Sequence, residues 1–190
     1  TLGADNGIAL AYALAFLEDK DLEHPRLEAV FTTDEEVGMD GAIGLDVSVL
    51  QGKYLINLDS GEEGVLLTGC AGGLTASNEI PISRVNEYGL KIQIGVRNLK
   101  GGHSGAEIHR NRTNAIKLLS RLLFELKPLF NYHLISIEGG QKDNVIPREA
   151  NAIIVIDPDS LNEFEKVLDT LSNRYKNELI ASEPDLTIEN

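Results

Sequence analysis

Apolar and polar positions change their rhythm once along the chain. Up to residue 73, short apolar stretches alternate with polar ones in an order that predicts a helix over 7–19, a strand over 27–32, a short helix over 41–47 and a strand over 54–58. The strand segments Leu27-Glu28-Ala29-Val30-Phe31 and Tyr54-Leu55-Ile56-Asn57-Leu58 are mostly apolar, as strands covered on both faces are. Helix and strand alternating with short connections is α/β order. After residue 73 the pattern predicts strand, helix, two strands, helix and strand, over 90–99, 111–126, 133–138, 152–157, 160–176 and 185–189, with a linking strand over 74–82. The helix over 111–126 carries Ala115, Ile116, Leu118, Leu119, Leu122, Leu123 and Leu126, one apolar stripe at helical spacing. β-α-β-β-α-β is the ferredoxin-like order. The expected architecture is an α/β part over 1–73 followed by a ferredoxin-like α+β unit over 74–190.

Composition narrows the function classes. With 190 residues, 42% hydrophobic and 25% charged, the chain can bury a sizeable core. Its longest apolar run, 7–17, falls short of the roughly 18 residues that span a bilayer. The formal net charge is −13, and the first 70 residues hold 14 acids against 3 bases. That concentration disfavours nucleic acid and anionic membranes as partners and suits cations. A single cysteine, Cys70, excludes a disulfide framework and a thiolate zinc cluster, and fits a cytoplasmic location. Thr1 opens inside what reads as a functional loop, which implies a piece of a longer protein.

Five segments could carry chemistry, and each has a plain structural reading beside it. Gly3-Ala4-Asp5-Asn6-Gly7 stands just before a helix and could be only its cap. Thr32-Thr33-Asp34-Glu35-Glu36-Val37-Gly38 sets three carboxylates at the end of a strand, where like charges repel unless water or a cation compensates. Asn57-Leu58-Asp59-Ser60-Gly61 places another acid past a strand end, where open α/β sheets hold their ligands. Lys100-Gly101-Gly102-His103-Ser104-Gly105 offers a histidine in a loop whose glycines permit positive φ. Asp143-Asn144-Val145-Ile146-Pro147-Arg148 is a polar turn between strands. Asp5, Glu36 and Asp59 together supply three carboxylates from three loops that α/β order brings to one sheet edge.

In this order, the five segments resemble the two-zinc metallopeptidases that include carboxypeptidase G, aminoacylase and carnosinase. Within that family, the combination of Gly3-Ala4-Asp5-Asn6-Gly7, Gly69-Cys70-Ala71-Gly72-Gly73 and Gly101-Gly102-His103-Ser104-Gly105 is most similar to the bacterial aminoacyl-histidine dipeptidases. The resemblance implies that 1–73 is part of a catalytic, metal-binding module and 74–190 a lid and dimerisation module. It implies two zinc ions, with manganese or cobalt as substitutes, bridged by Asp5 and completed by Glu36 on one side and Asp59 on the other. Glu35 would be the general base, His103 would reach the substrate and stabilise the oxyanion, and Asn144 would hold the substrate. The implied reaction is hydrolysis of dipeptides, Xaa-His (carnosine-like) first among them, in a homodimer formed through the lid.

One departure stands out. The family supplies one histidine per zinc, the first in a His-x-Asp motif ahead of the bridging aspartate. Here none of His24, His103, His109 and His133 is followed by an acid two positions later. Catalytic zinc typically has three protein ligands, so the chain by itself is expected to be inactive. Two other readings stay open: a non-catalytic lid and dimerisation module, and a related N-acyl amino acid amidohydrolase.

Overall fold

The computed structural model describes residues 6–59, 62–70 and 72–190. By their internal contacts the residues divide into Thr1–Gly73 and Leu74–Asn190.

In the first unit, the local helix and turn signals are realised, while no strand pairing forms among the described residues. Helix α1, Gly7–Glu18, begins where the Asn6 side chain accepts from the Ala9 N–H at 3.1 Å and ends with the Asp19 N–H on the Ala15 carbonyl at 3.0 Å. Its alanines and leucines are strong helix formers, yet none of its residues is buried. Asp34 (φ 59°) and Met39 (φ 64°) take left-handed backbone on either side of a single 3-10 turn, Glu35–Val37. That double turn leads into the four-residue helix α2, Asp40–Ile43. Gly41 lies so close to Thr33 that a Cβ would stand 2.5 Å from its nitrogen, so only glycine fits. The predicted helix over 41–47 is therefore α2 plus a separate 3-10 turn, Val47–Val49.

The strands predicted over 27–32, 54–58 and 74–82 do not form. A strand exists only through ladder hydrogen bonds to a neighbouring strand, and these segments pair with no strand among the described residues; Tyr54 and Leu55 are each 91% exposed. From the first segment a side chain reaches the turn that precedes the second: Glu28 Oε2 accepts the Gln51 and Gly52 N–H groups, each at 2.8 Å. These two bonds, with Arg26 beside them, hold the Glu28 carboxyl below its ordinary range.

The second unit has the predicted β-α-β-β-α-β order. Its main strands are β1 (Leu90–Arg97), β3 (His133–Gly139), β5 (Ala150–Ile156) and β6 (Thr187–Glu189), and its helices are α3 (Ala115–Leu126) and α4 (Leu161–Leu179). The sheet order is β3-β5-β1-β6, antiparallel throughout, the ferredoxin-like arrangement. β1 and β5 pair from Leu90↔Ile156 to Val96↔Ala150, and a bulge between Leu134 and Ser136 adjusts β3. Ile92, Ile94 and Val96 alternate inward from β1 and meet Leu118, Leu119, Leu122 and Leu126 of α3 and Phe164, Leu168 and Tyr175 of α4 in one core. Phe130 meets Phe164 edge to face at 5.2 Å.

Helix α3 starts four residues later than predicted. Asn111 turns left-handed (φ 51°) after a 3-10 turn, Ile108–Arg110, and the Asn114 side chain caps the Lys117 N–H at 3.1 Å. The short ribbon of β2 (Gly102–His103) with β4 (Val145–Ile146) has too few residues to leave a periodicity in the sequence. No helix among the described residues is long and apolar enough to cross a membrane.

Candidate functional site

His103 and Asn144 lie far apart in sequence and are brought together by the β2–β4 ribbon. The ribbon pairs Gly102 with Ile146 and His103 with Val145, and the Ser104 N–H then donates to the Asn144 carbonyl at 2.9 Å. The glycines do more than free the loop. A Cβ on Gly101 (φ 62°) would stand 2.3 Å from the Arg148 Cγ, and one on Gly102 (φ 144°) 2.5 Å from a Glu107 carboxylate oxygen. Arg148 is thus a structural neighbour of the loop, with its Nε donating to the Leu99 carbonyl at 2.9 Å.

The ring of His103 is oriented by its own turn. Its Nδ1 accepts the N–H groups of Gly105 and Ala106, both at 3.0 Å. A neutral imidazole whose Nδ1 is an acceptor carries its proton on Nε2, so His103 presents an N–H donor outward. Glu107, four residues on, holds the same turn from beneath: one oxygen accepts the His103 N–H at 3.1 Å and the other pairs with Arg110 at 2.8 Å. The His103 N–H first, then Arg110 and Arg112, keep the Glu107 carboxyl below its ordinary range. Sequence reasoning missed Glu107, although the spacing His-x-x-x-Glu across a tight turn is a usable signal.

Beside this turn lies an open cleft of about 640 Å³, lined among others by Ser104, Arg112, Asn114, Lys117, Lys142 and Asp143. With Arg112 already 3.9 Å from Glu107, Lys117 and Lys142 against Asp143 leave a positive excess that favours an anionic group there.

The carboxylates of the first unit are arranged differently. Glu35 and Glu36 sit on the 3-10 turn after the left-handed Asp34, and they and Asp59 are exposed. The Asn6 side chain donates to the Leu58 carbonyl at 2.5 Å, which ties the cap of α1 to the residue before Asp59. Asp5 itself lies outside the described residues. Glu36 and Asp59 offer oxygen donors of the kind a divalent cation accepts. Among the described residues, however, no three His, Cys, Asp or Glu side chains stand together as a metal centre. His24 is engaged locally with the Pro25 carbonyl at 2.7 Å, and His133 lies 3.5 Å from Glu87. The described residues offer part of a donor set and no complete one.

Residues 94–183, all within the second unit, match the model of the peptidase dimerisation domain family. Across 190 residues the chain is 43% identical to the cytosol non-specific dipeptidase of Escherichia coli K12, covering 99% of this chain and 39% of that protein. Peptidase T of Alkaliphilus oremlandii is 26% identical over 178 residues, covering 90% of this chain and 39% of the relative. Among solved structures, the aminoacylhistidine dipeptidase of Vibrio alginolyticus matches with a TM-score of 0.73 and 36% identity, over 100% of this chain and 39% of that one. The chain thus spans about two fifths of the length of these relatives.

Proposed function

We propose that the full-length protein carrying this chain is a cytoplasmic metal-dependent dipeptidase that cleaves Xaa-His dipeptides, β-alanyl-histidine among them. The observation that carries this reading is the 43% identity to a dipeptidase over essentially the whole chain, supported by the fold match to an aminoacylhistidine dipeptidase. In this reading residues 1–73 are part of the catalytic module, and 74–190 are the lid and the surface through which two copies pair. Asp5, Glu36 and Asp59 are the carboxylate ligands of two zinc ions, for which manganese or cobalt can substitute. Bound there, the ions would supply Lewis acidity and a water of lowered pKa. Glu35 takes the proton of the attacking water and returns it to the departing amine. The outward Nε2–H of His103 donates to the oxyanion as it forms, and Asn144 holds the substrate beside it. The cationic cleft suits the peptide's carboxylate. None of the chain's four histidines fills the imidazole positions that the resemblance calls for, so the 190 residues alone are inactive.

The test is hydrolysis by the full-length protein of β-alanyl-histidine against an N-acetyl amino acid. Preference for the dipeptide, with a loss of about 100-fold or more in Glu35→Gln, is the expected result. Preference for the acylated amino acid would make the protein an amidohydrolase. No hydrolysis of either would leave the second unit's role as pairing alone.

A further inference from the structure

The loop that carries His103 follows β1, which ends at Arg97, and leads into α3, capped at Asn114; one buried side chain holds it at Lys100 and at Thr113. Glu183, in the turn after α4, is 1% exposed. Its Oε2 accepts the Lys100 N–H at 2.8 Å and its Oε1 the Thr113 N–H at 3.0 Å. Its own backbone is fixed as well: the N–H donates to the Leu179 carbonyl at 2.7 Å, and the carbonyl accepts the Leu186 N–H at 3.2 Å. Among the described residues no cation pairs with it, although a buried carboxylate without one is costly. The chemistry explains what it supplies. A carboxylate offers two acceptor oxygens in a fixed fork, so it can take an N–H from each end of the loop; a glutamine would turn an NH₂ toward one of those donors.

The geometry points to Glu183 as a positioning residue for hydrolysis: it closes the base of the loop 100–113 and thereby sets the height and direction of the His103 turn. This rests on the reading of His103 as the oxyanion donor. Glu183 touches no substrate and acts only through backbone. The tip is held independently, by the β2–β4 ribbon and Glu107, so loss of the base clamp should loosen the loop and leave its local fold in place.

The experiment compares full-length wild type, Glu183→Gln, His103→Ala and the double variant in hydrolysis of β-alanyl-histidine, with amide hydrogen exchange on the same samples. Glu183→Gln should lower kcat and kcat/KM together by roughly 10- to 100-fold, below the loss typical of a deleted oxyanion donor, with KM within about 3-fold. In the His103→Ala background the same substitution should cost less than about 2-fold, because it acts through His103. Exchange should quicken across 98–114 and stay unchanged in β5 and α4. A full additional loss in the double variant, or faster exchange throughout the second unit, would reduce Glu183 to a structural role and overturn the inference. If Glu183→Gln were as active as wild type with unchanged exchange, the inference would fail and the dipeptidase reading would stand. If the wild type hydrolysed no dipeptide, that reading would fail, and exchange across 98–114 would alone decide the clamp. Should Glu183→Gln not fold, slow exchange at the Lys100 and Thr113 amides of the wild type supports the clamp, and rapid exchange there overturns it.

Discussion

Helices α1 and α3 are both twelve residues long and both begin on an asparagine cap, yet Leu10 and Leu14 of α1 are 44% and 54% exposed while Leu118 and Leu122 of α3 are 4% and 0%. The strand segments differ in the same way. Ala150–Ile156 is paired on both edges, by β3 and β1, whereas the apolar Tyr54-Leu55-Ile56-Asn57-Leu58 pairs with no strand among the described residues. The contrast separates two kinds of physical instruction. A cap and a run of good helix formers are local signals, so α1 is specified by its own residues, although a twelve-residue helix with no buried face is only marginally stable in water. A strand and a buried stripe need partners distant in sequence, and only the second unit supplies them to each other.

This comparison can be tested by perturbing matched positions. The largest difference is expected from truncation: Leu122→Ala should destabilise the second unit by about 3–5 kcal/mol, since it removes a fully buried side chain from a closed core. Ile56→Ala, at an 80% exposed position, should stay within about 0.5 kcal/mol. Urea unfolding of the 190-residue chain measures both, and equal costs would contradict the contrast.

A smaller effect is expected from the polar clamp between the second unit's helices. Tyr175 donates its hydroxyl to Glu125 at 2.7 Å, Arg174 also pairs with Glu125, and Arg121 grips Glu178 at 2.8 Å. The Tyr175 hydroxyl foremost, then Arg174, holds the Glu125 carboxyl below its ordinary 4.5, and Arg121 does the same for Glu178. The unfolded chain therefore binds more protons than the folded one below about pH 4.5, so stability is lost as pH falls through the depressed values. At the other end, burial and Glu125 push the Tyr175 phenol up to about 12, so its contribution is lost as pH rises from 10 toward that value. Tyr175→Phe should cost about 1 kcal/mol at neutral pH and flatten both slopes, read from urea midpoints across pH. An unchanged acid slope would show that Glu125 is not held by the hydroxyl.

How far the chain could be read in advance follows the same division. The apolar stripe of α3 and the order of four strands and two helices were legible because alternation and helical spacing report directly on burial in an antiparallel layer. The first unit's strands were misread because an apolar run states a demand for neighbours and not their presence. The histidine turn was legible as a motif. Its pairing with Val145, which brings the Asn144 carbonyl onto the Ser104 N–H, was not, since two-residue strands carry no rhythm. Glu183 gave no signal at all: a glutamate in a polar turn after a helix looks like any solvated acid, and only the fold shows two N–H groups converging on it.

The central claim is that this chain carries one self-supporting frame, the second unit, beside segments whose order is local. Amide hydrogen exchange of the 190-residue chain, read by peptide, tests it most directly. The account predicts protection by several orders of magnitude in β1, β5, α3 and α4, with 27–31 and 54–58 exchanging close to the rate of unstructured peptide. Protection of those two segments on a par with β5 would contradict it.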